Sequence, residues 1–271
     1  MSALHEAFAN AKAEGRAALI GYLPAGYPSV QGGIDAFVAM VAHGVDIVEV
    51  GLPYSDPLMD GPTIQEAVTA SLDAGTKISD VMATVAAVAR TGAPTLVMSY
   101  WNPIERYGVT RFATELAASG GVGVITPDIT PEEADAWIAA TDAAGLDRVF
   151  LVAPSSSDDR IAKVASVTTG FVYAASLMGV TGTRTSVSSA AAALVARTRP
   201  ATPLPIAVGL GVSTPEQAAT VAQYADGVIV GSAFVRALID ASTTAAGVDA
   251  VGELAAALAA GVRARTPEVV T

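Results

Sequence analysis

Short apolar runs recur along the chain, each bounded by Gly, Pro or Asp and separated from the next by an Ala-rich stretch with helical spacing. Runs of that length, without polar alternation, mark strands buried on both faces, as in a parallel sheet covered by crossover helices. The candidates are Leu19 to Leu23, Asp46 to Val50, Thr95 to Ser99, Gly121 to Thr126, Val149 to Val152, Phe171 to Ala175, Pro205 to Val208 and Gly227 to Val230.

Between them lie helix signals. Residues 1–16, MSALHEAFANAKAEGR, alternate charged and apolar positions as a short amphipathic helix does. Thr130-Pro131-Glu132-Glu133 and Thr214-Pro215-Glu216 each place a hydroxyl at the cap, Pro at the first helical position and acid in the first turn, predicting a helix start at both. The longer interval after the second strand holds two helical patterns, Thr63 to Ala74 and Ser79 to Arg90, and so predicts an insertion. A last helix is expected over Val248 to Arg265, with Thr266 to Thr271 fraying. Strand and helix in this alternation predict the α/β class and a (β/α)8 TIM barrel with an N-terminal helix and extra helices. No Ser/Gly linker and no further repeat divides the chain, so residues 1–271 read as one barrel domain.

Composition agrees with a large core: 52% of residues are hydrophobic and 15% charged. A net charge of −11 argues against nucleic acid as partner, because phosphate backbones need clustered Lys and Arg, so any phosphate bound is small. With Cys at 0, disulfides, thiolate metal sites and cysteine nucleophiles are excluded. The N-terminus lacks the apolar core of a signal peptide, and charges, Gly or Pro interrupt every Ala/Val-rich run. Neither a targeting segment nor a membrane span is expected, and the expected location is cytoplasmic.

In a parallel barrel the working groups project from the carboxyl ends of the strands. There the sequence offers Tyr22, Glu49, Tyr100 with Asn102, Asp128, Tyr173 with Ser176, the Gly209-Leu210-Gly211 turn and Gly231-Ser232. Glu49 interrupts an otherwise apolar strand, DIVEVG, where an ionised carboxylate is costly unless partnered or protonated. It is either half of an internal ion pair or a group kept for chemistry. The loop that follows, PYSDPLMDGP, adds Asp56 and Asp60 between prolines. Each is either a turn residue bonding its own backbone or an acid aimed back over the strand end.

Phosphate sites in such barrels use the loops after strands seven and eight and the N-terminus of a short helix. GLGVST follows the seventh strand, VGSAF the eighth, with Ser232 placed to cap a helix, and GVTG the sixth, at Gly179 to Gly182. The glycine pair at 209 and 211 is not a dinucleotide fingerprint, because position 214 is Thr and the turn comes late in the chain. Three such turns at one end favour a phosphate held by backbone amides.

Absent residues narrow the chemistry. Lys12, Lys77 and Lys163 all fall in helical patterns, which closes the Schiff-base route. His5 and His43 lie in or beside helices, so neither a metal cluster nor a Ser–His–Asp arrangement is expected. What remains is carboxylate acid–base catalysis on a substrate that carries its own electron sink, such as an electron-rich ring that departs after protonation.

EVGLPYSDPLMDGPTIQ (49 to 65), ITPDITPEE (125 to 133), SLMGVTG (176 to 182), GLGVST (209 to 214) and GVIVGSAFV (227 to 235) together resemble the tryptophan synthase alpha subunit family over nearly the whole chain. The resemblance implies a lyase that cleaves indole-3-glycerol phosphate to indole and D-glyceraldehyde 3-phosphate. It implies Glu49 as the general acid–base at the ring carbon bearing the glycerol chain and Asp60 as the stabiliser of charge at the ring N–H. The choice of Asp60 over Asp56 rests on it alone. It further implies Tyr22, Tyr100, Tyr173 and Leu210 around the indole or glycerol chain, Thr181 near Asp60, and Gly182, Gly211, Gly231 and Ser232 at the phosphate. No cofactor is implied in this chain; pyridoxal phosphate belongs to the beta subunit, expected as partner in a complex of two alpha and two beta chains. The apolar loop from Pro53 to Met59 suits a partner surface or packing on its own barrel. Departures from the family are Tyr22 for a usual Phe, Met59 for Ala and Leu177 for Arg. The other readings are a free-standing indole-releasing lyase, a silent activator of a beta subunit, and another phosphate-binding barrel such as a sugar-phosphate epimerase.

Overall fold

In a computed structural model of the chain, residues 2–175, 184–209 and 211–264 are described, the side chains of 184–188 excepted. The strands are β1 (Ala18–Pro24), β2 (Ile47–Gly51), β3 (Thr95–Met98), β4 (Gly123–Ile125), β5 (Asp147–Val149), β6 (Leu151–Val152), β7 (Val172–Ala175), β8 (Ile206–Gly209) and β9 (Gly227–Val230). Around them lie α1 (Ala3–Ala13), α2 (Val30–Ala42), α3 (Pro62–Asp73), α4 (Ile78–Ala89), α5 (Trp101–Tyr107), α6 (Val109–Ala118), α7 (Asp135–Ala144), α8 (Asp158–Val167), α9 (Arg184–Thr198), α10 (Pro215–Ala222), α11 (Ser232–Ile239) and α12 (Thr244–Arg263).

Every strand pairing is parallel, and the sheet runs β5-β4-β3-β2-β1-β9-β8-β7-β6. Its two ends, β5 and β6, are consecutive halves of one strand that changes partner at Phe150. Val149 O accepts from Thr126 N on one side and Phe150 O from Tyr173 N on the other. The ring therefore closes through the chain itself, giving the (β/α)8 barrel with an N-terminal helix and extra helices. The expected fifth strand, Val149 to Val152, begins two residues earlier, at Asp147-Arg148. These charged residues precede the apolar run; Arg148 is nonetheless buried, its guanidinium bonded to Thr141 Oγ1, Val167 O and the Asp142 carboxylate.

Strand alternation divides the core in two. Ala18, Ile20, Ile47, Leu96, Ile125, Val149, Phe171, Ala207 and Ile229 point into the barrel, and α1 plugs its lower end with Leu4, Phe8 and Ala11. Leu19, Val48, Val50, Val97, Val124, Val172, Ile206, Val208, Val228 and Val230 point outwards against the helices. At that lower end Arg16, 6% exposed, grips Asp46 with two bonds of 2.6 and 2.8 Å, and Asp46 also accepts the Leu19 amide.

Three local expectations are corrected. Thr130 does not start a helix: its hydroxyl donates to the Glu133 carboxylate, Arg160 and Lys163 draw Glu132 outwards, and α7 begins only at Asp135. Thr214, by contrast, caps α10 as its pattern predicts, accepting from Gln217 N. Ser232 is the first helical residue of α11 rather than its cap, which is Gly231. And among the described residues one helix, α12, is long and apolar enough to span a membrane by length and composition. Its apolar face, including Val251, Ala255, Leu258 and Val262, is buried against the barrel's outer layer, so a core-facing role explains its composition. Residues 266–271 lie outside the described residues.

Candidate active site

Alternation within β2 sends Glu49 into the barrel beside Ile47, while Val48 and Val50 face the helices. Register sets Glu49 beside Tyr22 of β1 and Leu96 of β3. The carboxyl is 3% exposed, and Oε2 has no hydrogen-bond partner. Burial, reinforced by the nearby Asp60 charge, pushes its pKa up to about 8. Glu49 is thus a protonated acid at neutral pH and can donate. The ion-pair alternative fails, since among the described residues no cation pairs with it.

Asp60 arrives from the loop between β2 and α3. Tyr100 donates to its Oδ1 across 3.0 Å, and the Met59 amide donates to the same hydroxyl across 3.0 Å. Burial raises the Asp60 pKa, and the Tyr100 bond opposes that rise. Asp56 is turned away: its carboxylate accepts from Ser55 at 2.6 Å on the exposed side of the loop. The structure therefore separates the two loop acids that the sequence left equivalent.

A cavity of about 510 Å³ opens above Glu49 and Asp60. Tyr22, Tyr173, Gly211, Gly231 and Ser232 line it with the two acids, as do the inward positions Met98, Ile125, Leu151 and Ile229. Those four apolar residues were not singled out in the sequence, although period-2 counting from Leu96, Gly123, Val149 and Gly227 would have found them. Tyr100 does not line the cavity; it stands behind Asp60. Thr181, Gly182 and Leu210, together with Ser176 and Leu177, lie outside the described residues. Asp128 accepts the Trp101 amide at 2.8 Å and so fixes the start of α5 instead of joining the site. A second hollow of about 500 Å³, between Leu52, Lys77, Tyr107 and Arg111, contains none of the candidate residues.

Tyr22 and Tyr173 are held well above the usual phenol range, first by burial and then by the Glu49 and Asp60 charges, so both hydroxyls stay neutral. Glycines make room for them. A Cβ on Gly51 would overlap the Tyr22 hydroxyl and one on Gly209 the Tyr173 hydroxyl, while one on Gly231 would come within 3.0 Å of the Tyr22 ring. Gly209 thus has a packing task as well as a place in the turn. Gly211 adopts φ +69°, a conformation side chains resist. No side chain caps the first turn of α11, leaving its amides directed at the cavity wall formed by Gly231 and Ser232. Among the described residues, no Lys or Arg lines the cavity, and no group of three His, Cys, Asp or Glu stands close enough to hold a metal.

An unpaired protonated acid deep in an apolar barrel, a second carboxylate delivered by a loop, and uncapped amides at the cavity wall suit proton transfer on a small phosphate ester. Comparison with known proteins gives the same direction. The family model described as tryptophan synthase alpha chain matches residues 8–263. The tryptophan synthase alpha chain of Thermobifida fusca (strain YX) is 60% identical over 267 residues, covering 97% of this chain and 99% of that protein. That of Acidothermus cellulolyticus is 58% identical over 263 residues, covering 97% and 98%. Among solved structures, aminoacrylate-bound tryptophan synthase from M. tuberculosis superposes with a TM-score of 0.89 at 49% identity, covering 97% of this chain and 100% of that one. The alpha subunit from Legionella pneumophila str. Paris gives 0.88 at 30% identity, with 97% and 98% covered.

Proposed function

The chain belongs to the tryptophan synthase alpha chain family, and from that premise we propose how its residues divide the work. The reaction is the alpha reaction of tryptophan biosynthesis, the lyase step that cleaves indole-3-glycerol phosphate to indole and D-glyceraldehyde 3-phosphate. In our reading Glu49 gives its proton to the ring carbon that bears the glycerol chain. Asp60, ionised, balances the positive charge that then appears at the ring N–H. The Glu49 carboxylate next takes the proton of the adjacent chain hydroxyl, the carbon–carbon bond breaks, its electrons restore the aromatic ring, and an aldehyde leaves. Glu49 ends protonated, as it began.

The observation that supports this most directly is the buried, unpartnered Oε2 of Glu49, with a pKa of about 8 set by burial. A carboxyl that keeps its proton at neutrality and surrenders it to a basic carbon is suited to both halves of the reaction. Tyr22, Tyr173 and the apolar inward residues would hold the indole and glycerol chain. Gly211, Gly231 and Ser232 would hold the phosphate by backbone amides and one hydroxyl. Tyr100 would act through Asp60.

The same reading extends to the assembly. The partner is a tryptophan synthase beta subunit, which supplies pyridoxal phosphate, and the complex contains two chains of each kind. Leu58 and Met59, 74% and 40% exposed at the tip of the acid loop, are the apolar surface such a partner would cover. Residues 1–271 act as one barrel domain, in the cytoplasm. The deciding experiment is incubation with indole-3-glycerol phosphate, with and without a beta subunit. Indole release that Glu49→Gln abolishes, with binding of a substrate analogue retained, is expected; turnover by the variant would overturn the assignment.

A further inference from the structure

Among the described residues the cavity is lined by two acids and no cation, yet the substrate brings a phosphate. Binding by backbone amides accounts for the wall at Gly231 and Ser232. Beside that wall, Thr63 of α3 also lines the cavity, is half-buried, and accepts a 2.8 Å hydrogen bond from Arg236 of α11. The two residues lie 173 positions apart in sequence, and Arg236 sits one helical turn beyond Ser232. A hydroxyl has one proton to give and two lone pairs. When a guanidinium occupies a lone pair, the proton turns away from the cation, and the oxygen becomes a stronger donor.

We propose that Thr63, oriented by Arg236, donates its hydroxyl proton to the phosphate end of the substrate, with Arg236 as the positioning residue. The inference rests on the alpha-reaction reading of this cavity and adds a side chain to its anion wall. Arg236 lies too far down its helix to line the cavity, but its charge reaches the anion through one intervening oxygen. That offsets part of the repulsion between the phosphate and Asp60 without placing a mobile Lys or Arg among the reacting groups. Its other partner, Asp240, is more distant, at 3.6 Å, and its side chain is 65% exposed, so it quenches little of that charge.

The experiment compares Thr63→Val, Thr63→Ser, Arg236→Met and Arg236→Lys with the parent enzyme in complex with its beta subunit, and carries Glu49→Gln alongside. Readouts are KM and kcat for indole-3-glycerol phosphate, the inhibition constant of inorganic phosphate, and melting temperature. Thr63→Val is expected to raise KM and weaken phosphate inhibition about tenfold each, with kcat changed less than about twofold. Thr63→Ser should stay near the parent. Arg236→Met should reproduce the Thr63→Val pattern, and Arg236→Lys should recover part of it. If Thr63→Val lowers only the melting temperature and leaves KM and phosphate inhibition unmoved, the pair is a strut between α3 and α11 and the proposal falls. An active Glu49→Gln would instead overturn the reading of the cavity, so the two failures are distinguishable.

Discussion

The hydroxyl of Tyr100 donates to Asp60 Oδ1 at 3.0 Å, while the same oxygen accepts the Met59 amide, also at 3.0 Å. One phenol thus holds the acid loop by its backbone and by its carboxylate. Asn102 adds a second hold by donating to the Tyr54 hydroxyl at 2.9 Å, and the Tyr54 and Tyr100 rings pack with centroids 5.6 Å apart. The anchor is itself fixed, because Asp128 accepts the Trp101 amide and Ser99 donates to Tyr100 O. The loop after β2 takes its shape from the end of β3.

Tyr100→Phe removes a bond that opposes the burial-driven rise of the Asp60 pKa, so that pKa should climb further. Asp60 must be ionised to balance the ring cation. The acid limb of the kcat profile should therefore move to higher pH, and kcat near neutrality should fall about tenfold, equivalent to ~1.4 kcal/mol of barrier. A pH–rate profile whose acid limb stays in place would show that Asp60 needs no such support.

Glu49→Gln links activity to stability. The parent should lose kcat/KM as pH rises through about 8, where the free enzyme's acid gives up its proton. Stability follows the same group: the folded protein keeps the proton up to about 8, the unfolded chain releases it near 4.5, so stability declines with pH between those values. The decline is at most about 1.4 kcal/mol per pH unit. Gln cannot ionise, so the inactive variant should be more resistant to urea than the parent at pH 8.5 and show little such advantage at pH 4.5. Urea titrations at both values test this, and an equal difference at each would refute it.

Much of this was legible in the chain because barrels write themselves in alternation: eight apolar runs, a lone Glu inside one of them, and glycine turns at the matching strand ends. What was not legible depended on partners distant in sequence. Asp147-Arg148 falls outside the apolar run, and only Thr141, Asp142 and Val167, which satisfy the guanidinium, let the strand start there. Thr130 reads as a cap until Glu133 takes its hydroxyl. Asp56 and Asp60 are indistinguishable until Tyr100, 40 residues on, binds one of them. Thr63 carries no signal at all without Arg236, 173 residues away.

Arg16→Met separates the two ends of the barrel. The change leaves the Asp46 carboxylate, whose side chain is 17% exposed, with the Leu19 amide but without its two guanidinium bonds. Breaking one side of a buried, doubly bonded pair costs about 3 kcal/mol. Chemical denaturation should register that loss. Because Arg16 lies below the α1 plug side of the barrel, far along β1 from Tyr22, kcat and KM at permissive temperature should match the parent. A change in KM of more than about threefold would mean that the lower layer sets the position of the upper one.

Gly209→Ala tests whether the glycines near the cavity shape it through the tyrosines. A Cβ there would overlap the Tyr173 hydroxyl and come within 2.9 Å of two ring carbons. The ring has two ways to respond: it moves into the space meant for substrate, or β8 shifts and takes Gly211 with it. Either costs roughly 1 to 3 kcal/mol, so kcat/KM should drop about tenfold or more. Tyr173→Phe removes the atom in the worst overlap. If the ring is what moves, Tyr173→Phe combined with Gly209→Ala should recover most of the lost activity, although each change alone removes something. Losses that simply multiply in the double variant would place the effect in the Gly209 to Gly211 backbone, and the glycine would then serve the phosphate turn directly.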